Sequence, residues 1–233
     1  MYILAIESTT NLCSVALGKD GKIIGELHED IPQRQLTWLM PAVDKLLKEN
    51  GVEYPDINYI AVTNGPGSYT GLRLGIITAK TIAQVLDIPV IAYNTLEALA
   101  YNAETQDTVI YPMLDAKKKQ IYSAKMVKEG KYLKSESDYR AYTPSELIEE
   151  INKSSKEVVL LGTALHTYKE DIKEKLQVKY SIADSKCWHP KAETLITMAY
   201  RDIEQKKANL LSHNDLDAFY LREPDITPPR KAV

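Results

Sequence analysis

The apolar and polar positions of this chain fall into a repeating order of short buried runs and amphipathic stretches. Residues 2–7 (YILAIE) are an apolar run ending on a carboxylate, which predicts a buried strand. A polar turn, Glu7–Asn11, leads to a second strand over 13–18 (CSVALG). Asp20-Gly21 is a two-residue hairpin signal, and 22–28 (KIIGELH) makes the third strand. Leu36, Leu39, Met40, Val43, Leu46 and Leu47 then recur at helical spacing. They predict a helix over 35–50 with that face buried and Gly51 as its stop. Trp38 falls off the face and reads as a partly covered surface residue or an interface anchor. Ile57–Val62 is the next strand, a helix over 71–87 follows, and Pro89–Tyr93 is a short strand before a helix from Thr95, its expected cap, to Ala103.

Residues 104–108 read as a linker, after which the pattern begins again. Strands are predicted over 109–115, 121–127 and 131–133, with a turn at Glu129-Gly130. Thr143 caps a helix to Asn152 with Pro144 at its first position. A strand over 157–161 ends at Gly162, and helices are expected over 164–176 and 190–207. The halves also share local sequence. Ile6-Glu7-Ser8 and the hairpin Lys19-Asp20-Gly21-Lys22 correspond to Leu114-Asp115-Ala116 and Lys128-Glu129-Gly130-Lys131. The expected architecture is therefore α/β, two similar βββαβαβα domains. The first covers 1–103 and the second, more degenerate one 104–207, with 208–233 able to return to the first.

Between the strand at 57–62 and its helix lies Gly65-Pro66-Gly67-Ser68-Tyr69-Thr70-Gly71. The glycines admit backbone angles closed to other residues, Pro66 fixes one φ, and Ser68 or Thr70 can cap the helix. Gly71, Gly75, Ala79 and Ala83 then recur every fourth residue, a stripe of small side chains that lets another backbone approach, flanked by Leu72, Ile76 and Ile77. The stripe serves either the chain's own sheet or a partner helix. The loop is not a P-loop, because Leu72 and Arg73 stand where lysine and a hydroxyl residue would.

Composition narrows the reading. The chain has 233 residues, a net charge of −3 and 44% hydrophobic residues, values of an ordinary globular protein. No apolar run approaches the roughly 20 residues that span a bilayer, and the N-terminus lacks the form of a signal peptide. Cys13 and Cys187 form no motif, which suits a reducing cytoplasm. His28, His166, His189 and His213 show no metal-ligand spacing and read as surface or loop residues. Lys117-Lys118-Lys119 reads as a solvated turn, and no basic face of the kind that grips RNA is evident. No Gly-x-Ser-x-Gly elbow is present.

The segment Gly65 to Gly75, GPGSYTGLRLG, resembles the signature of the TsaB (YeaZ) family. Tyr220-Leu221-Arg222 matches that family's Tyr-x-Arg ending. The repeated plan resembles the actin, hexokinase and sugar-kinase superfamily (the actin-like ATPase and ribonuclease H-like fold), in which two like domains flank a nucleotide cleft. The resemblance implies a non-catalytic scaffold or activator in bacterial synthesis of threonylcarbamoyladenosine on tRNA. Its implied partners are a TsaD-like catalytic paralogue, a TsaE-like ATPase, a second copy of itself when alone, and tRNA indirectly. Trp38, Gly71, Leu72, Gly75, Ile76, Ala79 and Ala83 would form the interface. No cofactor is expected on this chain alone; ATP and a metal belong to the partner. Glu7, Ser8, Thr9, Thr10 and Asp115 match the superfamily's phosphate-binding positions in vestigial form. Glu7 is longer than the aspartate that holds magnesium there, and Lys117 replaces the arginine of an Asp-Ala-Arg motif. The catalytic paralogue carries a histidine pair where residues 33–38 here (QRQLTW) have none. The alternatives are an ATP-dependent kinase or ATPase of the same superfamily and, more remotely, a glycoprotease-like peptidase.

Overall fold

The structure is a computed structural model that describes residues 1–31, 34–105, 108–130 and 132–222. The first half of the chain gives β1 (Tyr2–Glu7), β2 (Leu12–Lys19), β3 (Lys22–Asp30), α1 (Gln35–Glu49), β4 (Ile57–Gly65), α2 (Tyr69–Leu86), β5 (Val90–Asn94) and α3 (Thr95–Tyr101). The second half gives β6 (Val109–Asp115), β7 (Ile121–Ser123), β8 (Met126–Glu129), β9 (Tyr132–Ser135), β10 (Arg140–Tyr142), α4 (Pro144–Asn152), β11 (Val158–Leu161), α5 (Leu165–Lys175), β12 (Tyr180–Ile182), α6 (Ala192–Glu204) and β13 (Leu210–Leu211). Gln33, Lys131 and the basic pair Arg230-Lys231 lie outside the described residues.

Two sheets organise the chain. The first runs β13-β5-β4-β1-β2-β3, with β1, β4 and β5 parallel and the β1-β2-β3 meander antiparallel. In the second, β6 takes the place of β1. It pairs antiparallel with β7 and β8, and parallel with β11, which pairs parallel with β12. Each lobe thus sets a parallel pair of strands beside a meander, as the repeated pattern predicts.

β1 is buried on both sides because a helix layer covers each. Leu4 and Ile6 face α1 and α2, while Ile3 and Ala5 face Leu195, Ile196 and Ala199 of α6. Successive strand residues point to opposite faces, so one six-residue strand feeds two core layers. The expectation that 190–207 belongs to the second domain is corrected here: α6 lies on the back of the first sheet, which would otherwise expose its apolar face. Conversely, Leu96, Leu99 and Ala100 of α3 enter the core of the second lobe. The lobes exchange their last helices. Asn102 Oδ1, just past α3, ties the exchange by accepting from Thr194 Oγ1 at 2.7 Å.

Local differences from the sequence reading have local causes. Asn94, not Thr95, caps α3, its Oδ1 accepting from Leu96 N at 2.8 Å. The predicted strand over 121–127 appears as β7 and β8 in one register, interrupted at Ala124 and Lys125. That register sets Ala124 opposite Pro112, which has no N–H to offer the ladder. Lys125 turns instead to the next segment, its N–H donating to Ser137 Oγ and its carbonyl accepting from Glu136 N. β10, β12 and β13 have only two or three residues each, too short for a periodic signal. At Thr143 the structure has the expected capping box with Glu146, and Pro144 opens α4.

Candidate docking face and interlobe cleft

The glycine loop brings α2 against the turn after β1. Ser68 caps α2, its Oγ accepting from Gly71 N at 3.3 Å. Ser8 Oγ donates to the Gly71 carbonyl at 2.8 Å. A β-carbon at Gly71 or at Gly75 would collide with Ser8. Gly65, at φ 117° and joined to Pro66 by a cis peptide, lets the Phe219 backbone cross just above it. Phe219 N donates to the Asn64 carbonyl at 2.7 Å. Among the other loop residues, Pro66 is buried, Gly67 half-buried, and Ser68, Tyr69 and Thr70 exposed.

The small-residue stripe expected at a partner surface therefore faces inward. Gly71, Gly75, Ala79 and Ala83 are buried, and so are Leu72 and Ile76. The close approach that small residues allow is used by the chain's own β1 and its turn. The outward line of the same helix is Tyr69, Arg73, Ile77, Thr81 and Val85, again spaced by four. Ile77 is 61% exposed and Val85 77%. Helix α1 behaves likewise. Gln35, Leu39, Ala42, Val43, Leu46 and Leu47 are buried, whereas Leu36 is 74% exposed and Met40 is also outside. Leu36 and Met40 were expected on the buried face, but Ala42 takes that side. Trp38 is half-buried against the edge of the first core.

Glu7 sits at the end of β1, completely buried. Its Oε1 accepts from Thr9 N at 2.9 Å, from Thr9 Oγ1, and from Thr63 Oγ1 at 3.1 Å. Its Oε2 has no partner. Burial outweighs those hydrogen bonds and pushes the carboxyl up to about 7. The same burial, with the charge of Glu7 second, pushes the Cys13 thiol up to about 12, so this cysteine is an inert core residue.

A cleft of about 810 Å³ lies between the lobes. Of the five positions matched to phosphate binding, Thr9, Thr10 and Asp115 line it. Ser8 is turned to α2 and Glu7 to its own turn. Asp115 braces the facing turn: it accepts from Lys117 N and from Lys117 Nζ, each at 2.8 Å. Lys117, Lys118 and Lys119 all stand in the left-handed region, at φ 60°, 49° and 58°. Such a backbone costs a residue with a side chain roughly 1–2 kcal/mol, so three in succession need a reason. His166 and His189 also line the cleft, their ring centroids 6.1 Å apart. Burial first, and His166 second, hold His189 below the usual imidazole range. No group of three His, Cys, Asp or Glu among the described residues is placed to hold a metal ion.

The end of the described chain straps the lobes together. Tyr220 packs on Tyr69 with centroids 5.4 Å apart and accepts from Arg73 Nε at 3.0 Å. The Arg73 guanidinium lies 3.9 Å above the Tyr69 ring. Leu221 joins the second core and Arg222 donates to Gln120 Oε1 at 3.1 Å. The sequence reading missed the two cleft histidines and the placement of the lysine turn. The signals for this region were the phosphate-binding matches at Thr9, Thr10 and Asp115, the Asp-Ala-Arg-like turn at Lys117 and the Tyr220-x-Arg222 ending.

Comparison with known proteins accords with the site. The family model described as tRNA N6-adenosine threonylcarbamoyltransferase (TsaD) matches residues 29–225. The tRNA threonylcarbamoyladenosine biosynthesis protein TsaB of Bacillus subtilis is 31% identical over 195 residues, 84% of this chain and 85% of the relative. The structure of YeaZ from Pseudomonas aeruginosa superposes with a TM-score of 0.81 at 25% identity, over 94% of this chain and 99% of that one. A ROK hexokinase from Thermus thermophilus shares the fold at a TM-score of 0.50 and 10% identity, over 88% of this chain and all of the other. Signature, two-lobed actin-like architecture and relatives agree: the chain belongs to the TsaB (YeaZ) family, and its role lies in tRNA threonylcarbamoyladenosine biosynthesis.

Proposed function

We propose that this chain is a non-catalytic subunit that docks the outward faces of α1 and α2 on a TsaD-like catalytic paralogue and holds it in a form competent for threonylcarbamoyl transfer to tRNA. The observation that carries the reading is the concentration of exposed apolar side chains, Leu36, Met40, Ile77 and Val85, on two adjacent helices of one lobe. Large apolar side chains exposed together on neighbouring helices are the mark of an interaction site. The occupant follows from the match to the TsaD family model: a paralogue folded alike presents equivalent helices, so the two can pair face to face. A second copy of this chain presents the same face and takes the place when the paralogue is absent. A TsaE-like ATPase joins the assembled pair, in the cytoplasm, and tRNA meets it chiefly through the paralogue.

The burial of Glu7 supports the non-catalytic half. Its oxygens serve Thr9 and Thr63 or nothing, so it is not presented to a metal ion in the cleft. ATP and metal are accordingly assigned to the partner. The test is the double variant Ile77→Glu with Val85→Glu, assayed by calorimetry against the purified paralogue. Both positions are exposed, so the variant should melt as the parent does while its affinity falls at least a hundredfold. Unchanged affinity in a folded variant would remove the interface. Titrating ATP into the chain alone tests the kinase alternative: measurable heat of binding would revive it.

A further inference from the structure

The mouth of the cleft carries two features that docking through α1 and α2 does not use. One is the lysine turn. Three consecutive side-chain-bearing residues held left-handed are over-determined by their surroundings, here by the Asp115 contacts and by the bonds Ala116 N to Gln120 O and Gln120 N to Lys117 O. All three lysines are exposed, with the Lys117 ammonium held on Asp115. Lys117 lines the cleft. Lys119 lines an adjoining groove of about 450 Å³ with Lys175, and Thr167 borders both spaces. Lys117 thus faces one space and Lys119 its neighbour. Asp115 offsets part of this charge, and Asp171 lies in the groove.

The second feature is aromatic. Tyr69 and Tyr220 line the same cleft from the other side, packed together with their ring planes tilted by 35°, backed by Arg73 and still more than a third exposed. Arg222 stands beside them on the cleft wall. Cations that track a backbone, set opposite aromatic faces that accept bases, are the two elements of a single-stranded nucleic-acid site. A plain anion site would have no use for the tyrosines, and an apolar peptide site no use for the lysines.

We propose that the cleft mouth binds single-stranded RNA, with phosphates on the Lys117–Lys119 turn and Arg222 and a base stacked on the Tyr69–Tyr220 pair. The choice of RNA over DNA rests on the biosynthetic role proposed above; the chemistry of the site does not. Tyr69 begins the helix whose outward face docks the paralogue. Ile77, eight residues on, lies ~12 Å along the axis, so a bound strand runs beside the interface and onto the partner.

The test is fluorescence anisotropy of a labelled single-stranded RNA of about ten nucleotides, a length within the usual range of such sites, titrated with the full chain. The triple variant K117A/K118A/K119A should lose at least tenfold in affinity, and its logarithmic salt slope should fall by about 2, the share of three phosphates on a single strand. Tyr220→Ala should lose roughly fivefold or more with the salt slope unchanged, as loss of stacking requires. Both variants are titrated in parallel against the paralogue. Retained paralogue binding with lost RNA binding supports this site, and lost docking with retained RNA binding would fault only the interface. Ultraviolet cross-linking of the parent chain to the same RNA gives a readout independent of variant folding: adducts should map to peptides holding Tyr69 or Tyr220. The proposal falls if the triple variant binds RNA as the parent does. It also falls if Tyr220→Ala has no effect while inorganic polyphosphate displaces the RNA, since the turn would then be a simple anion trap.

Discussion

The two lobes repeat one strand plan, yet they present opposite surfaces. Residues 1–103 together with the α6 segment 190–207, which covers the first sheet, carry 11 lysines and arginines against 14 acids, while residues 104–189 carry 15 against 14. The first lobe turns apolar side chains outward on α1 and α2; the second exposes the lysine turn beside the cleft and, along α5, lysines and acids alike. Packing explains how one plan permits both. In each lobe the central strand fixes an inner face, so β1 and β6 must be apolar, but the outer faces of the covering helices are left free to vary. The first lobe uses that freedom for an apolar line and the second for charged side chains of both signs. The division gives the two lobes different outer surfaces without either weakening the shared core.

The sharpest test of this comparison lies within a single helix. Ala79 is fully buried against the first core and Ile77, two residues earlier, is exposed. Ala79→Glu should destabilise the chain by more than about 4 kcal/mol in denaturant unfolding, because the charge enters a dry core without a partner. Ile77→Glu should change stability by less than about 0.5 kcal/mol. Equal effects would show that the inward stripe and outward line are wrongly divided.

Glu7 has its counterpart in Asp115, half-exposed and paired with Lys117, and the contrast predicts a pH dependence. The carboxyl of Glu7 is pushed from 4.5 to about 7 in the folded chain. Below about pH 4.5 it is neutral in both states and costs nothing. As pH rises from there to 7 the unfolded chain releases its proton while the folded chain keeps it, so stability falls. Above pH 7 the loss is complete, about 3 kcal/mol. Glu7→Gln should remove most of the fall in unfolding free energy between pH 5 and pH 8. A variant that keeps the parent's pH profile would place the effect elsewhere.

Smaller effects separate the turns. Ser68 and Thr143 cap one helix in each lobe, and replacing either by alanine should cost about 1 kcal/mol in thermal unfolding. Lys118→Gly should act in the other direction and raise stability by up to about 1 kcal/mol, since glycine enters the left-handed region freely. A stabilising glycine would mean that lysine stands there for a reason other than folding. A destabilising one would mean that the side chain packs usefully on its own lobe.

Most of the fold was legible before the structure. Long periodic segments such as β1, β4 and α2, and the cap at Thr143, follow from apolar spacing and local hydrogen bonding, which depend on near neighbours in sequence. The candidate site was less legible. Leu36 and Met40 share a helical face with Leu39 and Val43 on a wheel, and spacing alone does not say which flank of that face the sheet covers. The lysine triplet reads as a solvated turn until Asp115 and the cleft are seen around it. Tyr220 has no meaning beside Tyr69 until the chain crosses Gly65 to bring them together.

By itself, then, the sequence determined the duplicated βββαβαβα order, the glycine loop that seats α2 and the family to which the chain belongs, because each is written in local periodicity or in a contiguous motif. Tertiary structure alone decided that α6 covers the first sheet and α3 the second, that the small-residue stripe faces inward, and that Lys117 lines one cleft with Tyr69 and Tyr220. Those outcomes depend on which apolar faces remain uncovered once distant segments have packed, and no local stretch of sequence carries that information.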